Sequence, residues 1–98
     1  MTHYRIFQLQ NIHDCLYAFM PWAAAKRYIS LEDYKMVYEG EIQAEDPDKA
    51  LEELFIKFNT NHPNDFKGHS LSVSDLVEIG DKLYYCDSTG WEEITYHF

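Results

Sequence analysis

His62 and His69 flank Asp65 in a stretch that runs on through Ser70, Ser72, Ser74 and Asp75. Residues of these types can hold a metal or supply a nucleophile and its base. A zinc site needs three or four ligands converging at about 2.0–2.3 Å. Here the imidazoles are separated by a segment containing Pro63 and Gly68, with no helix to aim both to one side and no His-Glu-x-x-His frame. The plainer expectation is that Asp65 closes an Asx-turn and His69 bonds a loop carbonyl. A serine nucleophile needs a base, an orienting group and an oxyanion hole. No Gly-x-Ser-x-Gly elbow is present, and alternating serines equally suit the polar face of a strand, with Ser74 or Asp75 capping a turn. Cys86 beside Asp87 lacks the cationic setting that lowers a thiol pKa, so Cys15 and Cys86 read as buried free thiols. The glycines are scattered singly, which gives no phosphate-cradling loop. No residue is therefore assigned a catalytic, cofactor-binding or metal role, and the expectation is a protein that is not an enzyme. A small hydrolase or metal-binding protein using the His62–His69 loop is the alternative.

The second concentration of chemistry is acidic. Glu39, Glu41, Glu45, Asp46, Asp48, Glu52 and Glu53 fall within fifteen positions, and the whole chain carries a formal charge of −9. Acids near a helix N-terminus favour the helix dipole, which accounts for some of them, but their density exceeds what capping requires. Projecting from one face, they would form a negative ridge suited to a basic groove. Clustered cations, which a phosphate backbone demands, are lacking, so direct nucleic-acid binding is not expected. A basic protein surface is the expected partner, because complementary fields speed encounter and enforce register.

These residues need a scaffold, and 98 residues allow one core. Residues 4–10 read as a strand through Ile6, Phe7 and Leu9. Leu16 to Met20 is a short apolar run of either type. Pro21 to Arg27 reads as a short helix, from the alanine run and the proline at its start. Ser30 is placed to cap a turn over Leu31 to Asp33. From Tyr34 to Gln43 the pattern alternates, with Tyr34, Met36, Tyr38 and Ile42 on one face and Gly40 marking a bulge. The strongest helix signal follows. Asp46 is a good N-cap and Pro47 a good first residue; Ala50, Leu51, Leu54, Phe55 and Phe58 recur as one stripe until Asn59, Asn61 and Pro63 end it. After the loop come a strand within 71–79, a turn at Gly80-Asp81, a strand at 82–87, a turn at Ser88 to Gly90 and a last strand over 91–98 with Ile94, Tyr96 and Phe98 on one face. The expected architecture is α+β: an antiparallel sheet of four to five strands with one main and one short helix packed on one face. No apolar run reaches the roughly 20 residues of a membrane span and no secretory leader is visible, so a cytoplasmic location is expected.

The run from His62 through Asp75, followed by Tyr84-Tyr85-Cys86-Asp87-Ser88-Thr89-Gly90-Trp91, resembles the YodL-like domain of bacterial mobile genetic elements. Tyr17-Ala18-Phe19-Met20 and the segment Tyr34 to Gly40 are similar to it as well, so the likeness covers nearly the whole chain; Thr89 departs from a position that is often aromatic. The resemblance implies a mobile-element protein, alone or as one module of a larger one, and carries no catalytic residues. With the acidic segment, it leads to an expected function. The chain would be a non-enzymatic, anti-CRISPR-like inhibitor that engages a basic host defence protein, such as a CRISPR nuclease, in its nucleic-acid channel. A structural accessory module is the remaining alternative.

Overall fold

The structure is a computed structural model and describes residues 1–95. Five strands form one antiparallel sheet: β1 (Thr2–Leu9), β2 (Tyr34–Ile42), β3 (Leu76–Ile79), β4 (Lys82–Asp87) and β5 (Gly90–Ile94), in the spatial order β2-β1-β3-β4-β5. The helices are α1 (Trp22–Ala25) and α2 (Pro47–Thr60). The α+β class and the antiparallel sheet are as the sequence predicts. Tyr96 and Phe98, expected to extend the last strand, lie outside the described residues.

Strand parity divides the core in two. Tyr4, Ile6, Val77, Ile79 and Tyr84 point to one face, where Ala50, Leu51, Leu54 and Phe58 of α2 cover them. Leu9, Leu76, Tyr85 and Ile94 point to the other, beneath Tyr17, Ala25 and Ile29 of the segment that contains α1. The two helices therefore sit on opposite faces, not on one. Neighbouring residues such as Tyr84 and Tyr85 are buried on both sides, so each face requires its own cover.

The alternation in β2 is broken at Val37. Ile6 pairs with Tyr38 but Phe7 pairs with Met36, which leaves Val37 as the extra residue of a bulge. A one-residue insertion switches every later side chain to the other face. Tyr34 accordingly joins the α1-side core and Met36 is 47% exposed, while Tyr38 and Ile42 join the α2-side core. The bulge is not at Gly40. That glycine pairs with Tyr4, and a Cβ there would lie 3.0 Å from the Tyr4 Oη; its bareness makes room for the ring.

The caps of α2 are as the sequence predicts: Asp46 accepts from the Lys49 backbone N–H at 2.9 Å, and the helix ends at Thr60 with Asn61 as its C-cap. Phe58 anchors it, edge-on to Tyr4, Tyr38 and Phe66 with centroid separations of 6.4, 5.3 and 4.8 Å. Phe55 is not part of the buried stripe; it is 38% exposed. Between Leu9 and Trp22 the chain forms one 3-10 turn over Ile12–Asp14 and further turns, with no strand or α-helix. It is fastened by Ser74, just before β3, and by two side chains of β4: the Phe19 N–H donates to Ser74 Oγ, the Trp22 N–H to Asp87 Oδ1, and the Tyr85 hydroxyl to the Met20 carbonyl. Phe19 and Ser74 both have positive φ, 63° and 86°, a conformation that costs a non-glycine residue about 1–2 kcal/mol. Ser30 caps the following 3-10 turn, as expected.

Candidate functional site

The His62–Asp75 stretch forms part of the fold's internal bracing. Its centre is Gln8, which has core-facing parity in β1 and is 1% exposed. Gln8 Oε1 accepts from the His69 N–H at 3.1 Å. Gln8 Nε2 donates to the His69 carbonyl at 2.8 Å and to Asp75 Oδ2 at 3.0 Å. The Ser72 N–H also donates to Asp75 Oδ2, at 2.9 Å. One amide thus ties the loop to β1 at three points. Gly68 is needed for this: a Cβ there would stand 2.2 Å from Gln8 Oε1. Asp75 is 2% exposed, and burial pushes its carboxyl up to about 6, although the Ser72 N–H, His69 and Gln8 each pull it back. The histidines do not converge. His62 Nδ1 lies 3.0 Å from the Pro63 carbonyl and its ring rests on Phe66, whereas His69 Nδ1 lies 2.7 Å from the Ser70 carbonyl. Asp65 faces the Tyr38 hydroxyl, whose pKa is raised by burial and then by that carboxylate. Among the described residues no three His, Cys, Asp or Glu side chains gather where a metal would sit. Cys86 is buried, and burial followed by the Asp75 and Asp87 charges pushes its thiol up to about 12, the opposite of an activated nucleophile. Cys15 is only partly buried.

The acidic residues are split by the fold. Glu39 and Glu41 pair with Arg5 and His3 across the β1–β2 ladder, on the sheet face opposite α2. Glu39 is engaged there by His3 Nε2 at 3.0 Å and by Arg5 Nε at 3.8 Å, and Arg5 continues to Glu78 at 2.7 Å. Asp46 is occupied as the helix cap, and Glu45 holds Lys49 Nζ at 3.1 Å. Glu53 is exposed on α2 but does not line the groove described next. The seven acids do not form one ridge.

What remains is more specific. Asp48, Glu52, Phe55 and Ile56 lie on one side of α2, at the i, i+4, i+7 and i+8 positions that share a helix face. With Trp91 of β5 they line a groove of about 480 Å³. Phe55 packs edge-on to Trp91, centroids 6.4 Å apart, and Ile56 is 55% exposed. The charged lining residues are both acids, and among the described residues neither has a cationic partner. The negative field reaches beyond them: the pKa of Tyr84, under this edge of α2, is raised by burial and then by Glu93, Asp48 and Asp81. Glu93 shares its face of β5 with Trp91. Sequence reasoning missed Ile56, Trp91 and Glu93 as site residues. The alternation Trp91, Glu93 was a visible signal, but only the sheet order places β5 beside α2.

A second cleft of about 490 Å³ lies among Asp14, Cys15, Leu16, Tyr17, Tyr28, Glu32 and Asp33. Two of its acids are already used internally, Asp33 by the Tyr17 hydroxyl at 2.7 Å and Asp14 by Asn11 at 2.7 Å. The α2–β5 groove is the better candidate because its acids are not so committed.

No curated protein and no solved structure matches the chain. A family model does, over residues 3–98, so the chain belongs to the family of the YodL-like domain.

Proposed function

We infer that the chain is a protein-binding module whose α2–β5 groove engages a basic, partly apolar surface of another protein. The observation that carries this reading is the pairing in one groove of exposed Phe55 and Ile56 and half-buried Trp91 with acids that have no cationic partner among the described residues. Exposed apolar side chains rimmed by polar ones are characteristic of protein interfaces. The acids set the sign of the partner: Asp48, Glu52 and Glu93, which have no cationic partner among the described residues, repel acidic surfaces and attract basic ones. Nucleic-acid channels are the most basic surfaces proteins commonly carry, so a nuclease channel, that of a CRISPR effector included, is the partner class proposed. The chain would act there as an inhibitor, by occupying the channel, and would perform no chemistry of its own.

The test is competition. Purified chain is titrated into a CRISPR nuclease bound to labelled nucleic acid, and displacement is followed by anisotropy at low and at high salt. The reading predicts displacement that weakens as the screening length falls from about 10 Å at 0.1 M to about 3 Å at 1 M. A panel of such nucleases showing no displacement at low salt refutes the nuclease-channel reading.

A further inference from the structure

We propose that the α2–β5 groove takes an extended Lys/Arg-rich segment of its partner as a sixth strand alongside β5; the proposal rests on the basic-partner reading above and specifies the partner's conformation.

The backbone makes the case. Among the described residues β5 pairs only with β4, so it forms one edge of the sheet. The Cys86 N–H donates to the Asp75 carbonyl at 2.8 Å and the Cys86 carbonyl accepts from the Ser74 N–H at 3.0 Å. Both backbone groups of Cys86 therefore face β3. Its cross-strand partner on the other side is Trp91, so this is a wide pair in the β4–β5 ladder, and the N–H and C=O of Trp91 point away from β4. Two residues on, those of Glu93 do the same. The residues with outward backbone groups are thus the ones whose side chains lie on the α2-facing side of β5.

An incoming strand would bond at Trp91 and Glu93 and lay every second side chain toward α2. Those side chains meet Phe55 and Ile56 with their stems and Glu93, Asp48 and Glu52 with their ends. Lysine and arginine satisfy both demands, with an apolar stem and a charged head. On the opposite parity Glu92 favours a cation too. A second copy of this chain is a poor occupant, since strand addition through β5 would set Glu92 and Glu93 against themselves. The other edge, β2, is less suited because its bulge at Val37 interrupts a regular ladder.

The test uses 15N-labelled chain and two synthetic probes of equal charge: a short alternating Lys-Val peptide, which favours an extended form, and a Lys-Leu peptide patterned as an amphipathic helix. The expected result is that the alternating peptide slows amide exchange at Trp91 and Glu93 by about tenfold or more, spares Gly90, Glu92 and Ile94, and binds about tenfold more tightly than the helical one. Glu93→Pro, which removes an outward N–H that an edge strand can lose, should abolish binding, whereas Glu93→Gln, which keeps that N–H and removes one charge, should weaken it severalfold without abolishing it. Equal binding of both peptides with Trp91 and Glu93 still exchanging freely would overturn strand addition and leave the basic-partner reading standing. Failure of both peptides to bind at low salt would overturn the two together.

Discussion

Asp75 gives the sharpest test of the internal bracing. Its carboxyl is buried beneath the 62–75 loop and pushed from 3.8 up to about 6, mainly by burial. A folded-state pKa above the unfolded value means that the folded state holds the proton more tightly. The contribution of Asp75 is therefore most favourable below the ordinary aspartate pKa and is lost as pH rises through about 6. The shift corresponds to roughly 3 kcal/mol at most, at about 1.4 kcal/mol per pH unit. Asp75→Asn keeps an oxygen to accept from Gln8 Nε2 and the Ser72 N–H but cannot ionise. The stability difference, variant minus wild type, should rise toward the variant by roughly 2 kcal/mol between pH 4 and pH 7.5, the remainder of the shift being already expressed at pH 4. Any fixed cost of the new amide would appear as an offset, not as a slope. Urea unfolding of both proteins across that range, with equal m-values as the check on two-state behaviour, measures it. A difference that stays flat, or that moves toward wild type with rising pH, refutes the placement of an ionisable Asp75 in a desolvated site.

Other perturbations separate buried from exposed positions. Leu54→Asp should unfold the domain, whereas Phe55→Asp should cost no more than about 1–2 kcal/mol, because Phe55 stands at the groove rim; circular dichroism melts of the pair decide it. Gly68→Ala drives a Cβ into Gln8 Oε1 and should destabilise by roughly 2–4 kcal/mol, more than Gly40→Ala, where the Tyr4 ring has only to give by tenths of an ångström; thermal melts of both variants rank them. Gln8→Leu matches the volume but leaves the His69 backbone groups without their partner, so the loop amides from Gly68 to Ser72 should lose hydrogen-exchange protection before the rest of the sheet does.

Local chemistry was legible in the sequence wherever it was self-sufficient. Asp46, Pro47 and the Ala50–Phe58 periodicity define α2 without tertiary information, and Gly80 at φ +60° supplies the tight turn between β3 and β4. The misreadings occurred where two elements compete. Phe55 fits the helical stripe as well as Leu54 does, and only the reach of β5 decides which is covered. Gly40 looked like the bulge because glycines often are; the insertion falls instead at Val37, whose type carries no such signal, and it reversed the facing of Tyr34 and Met36. The acidic run looked like one surface because it is continuous in sequence, yet the strand half and the helix half face opposite sides of the sheet. Gln8 could have been found: it follows Tyr4 and Ile6 at strand spacing, and a polar residue on a core-facing position demands partners.

The central claim is that binding resides in the α2–β5 acids rather than in net charge. Two triple reversals that change the charge equally separate these, namely Asp48→Lys with Glu52→Lys in the groove and Glu93→Lys beside it, and Glu41→Lys with Glu45→Lys and Glu53→Lys away from it. Calorimetric titration of wild type and both variants against one basic partner is the direct measurement. The groove reversal should abolish binding while the outside reversal weakens it only modestly. Equal losses from the two would show that bulk charge, not the groove, carries the interaction.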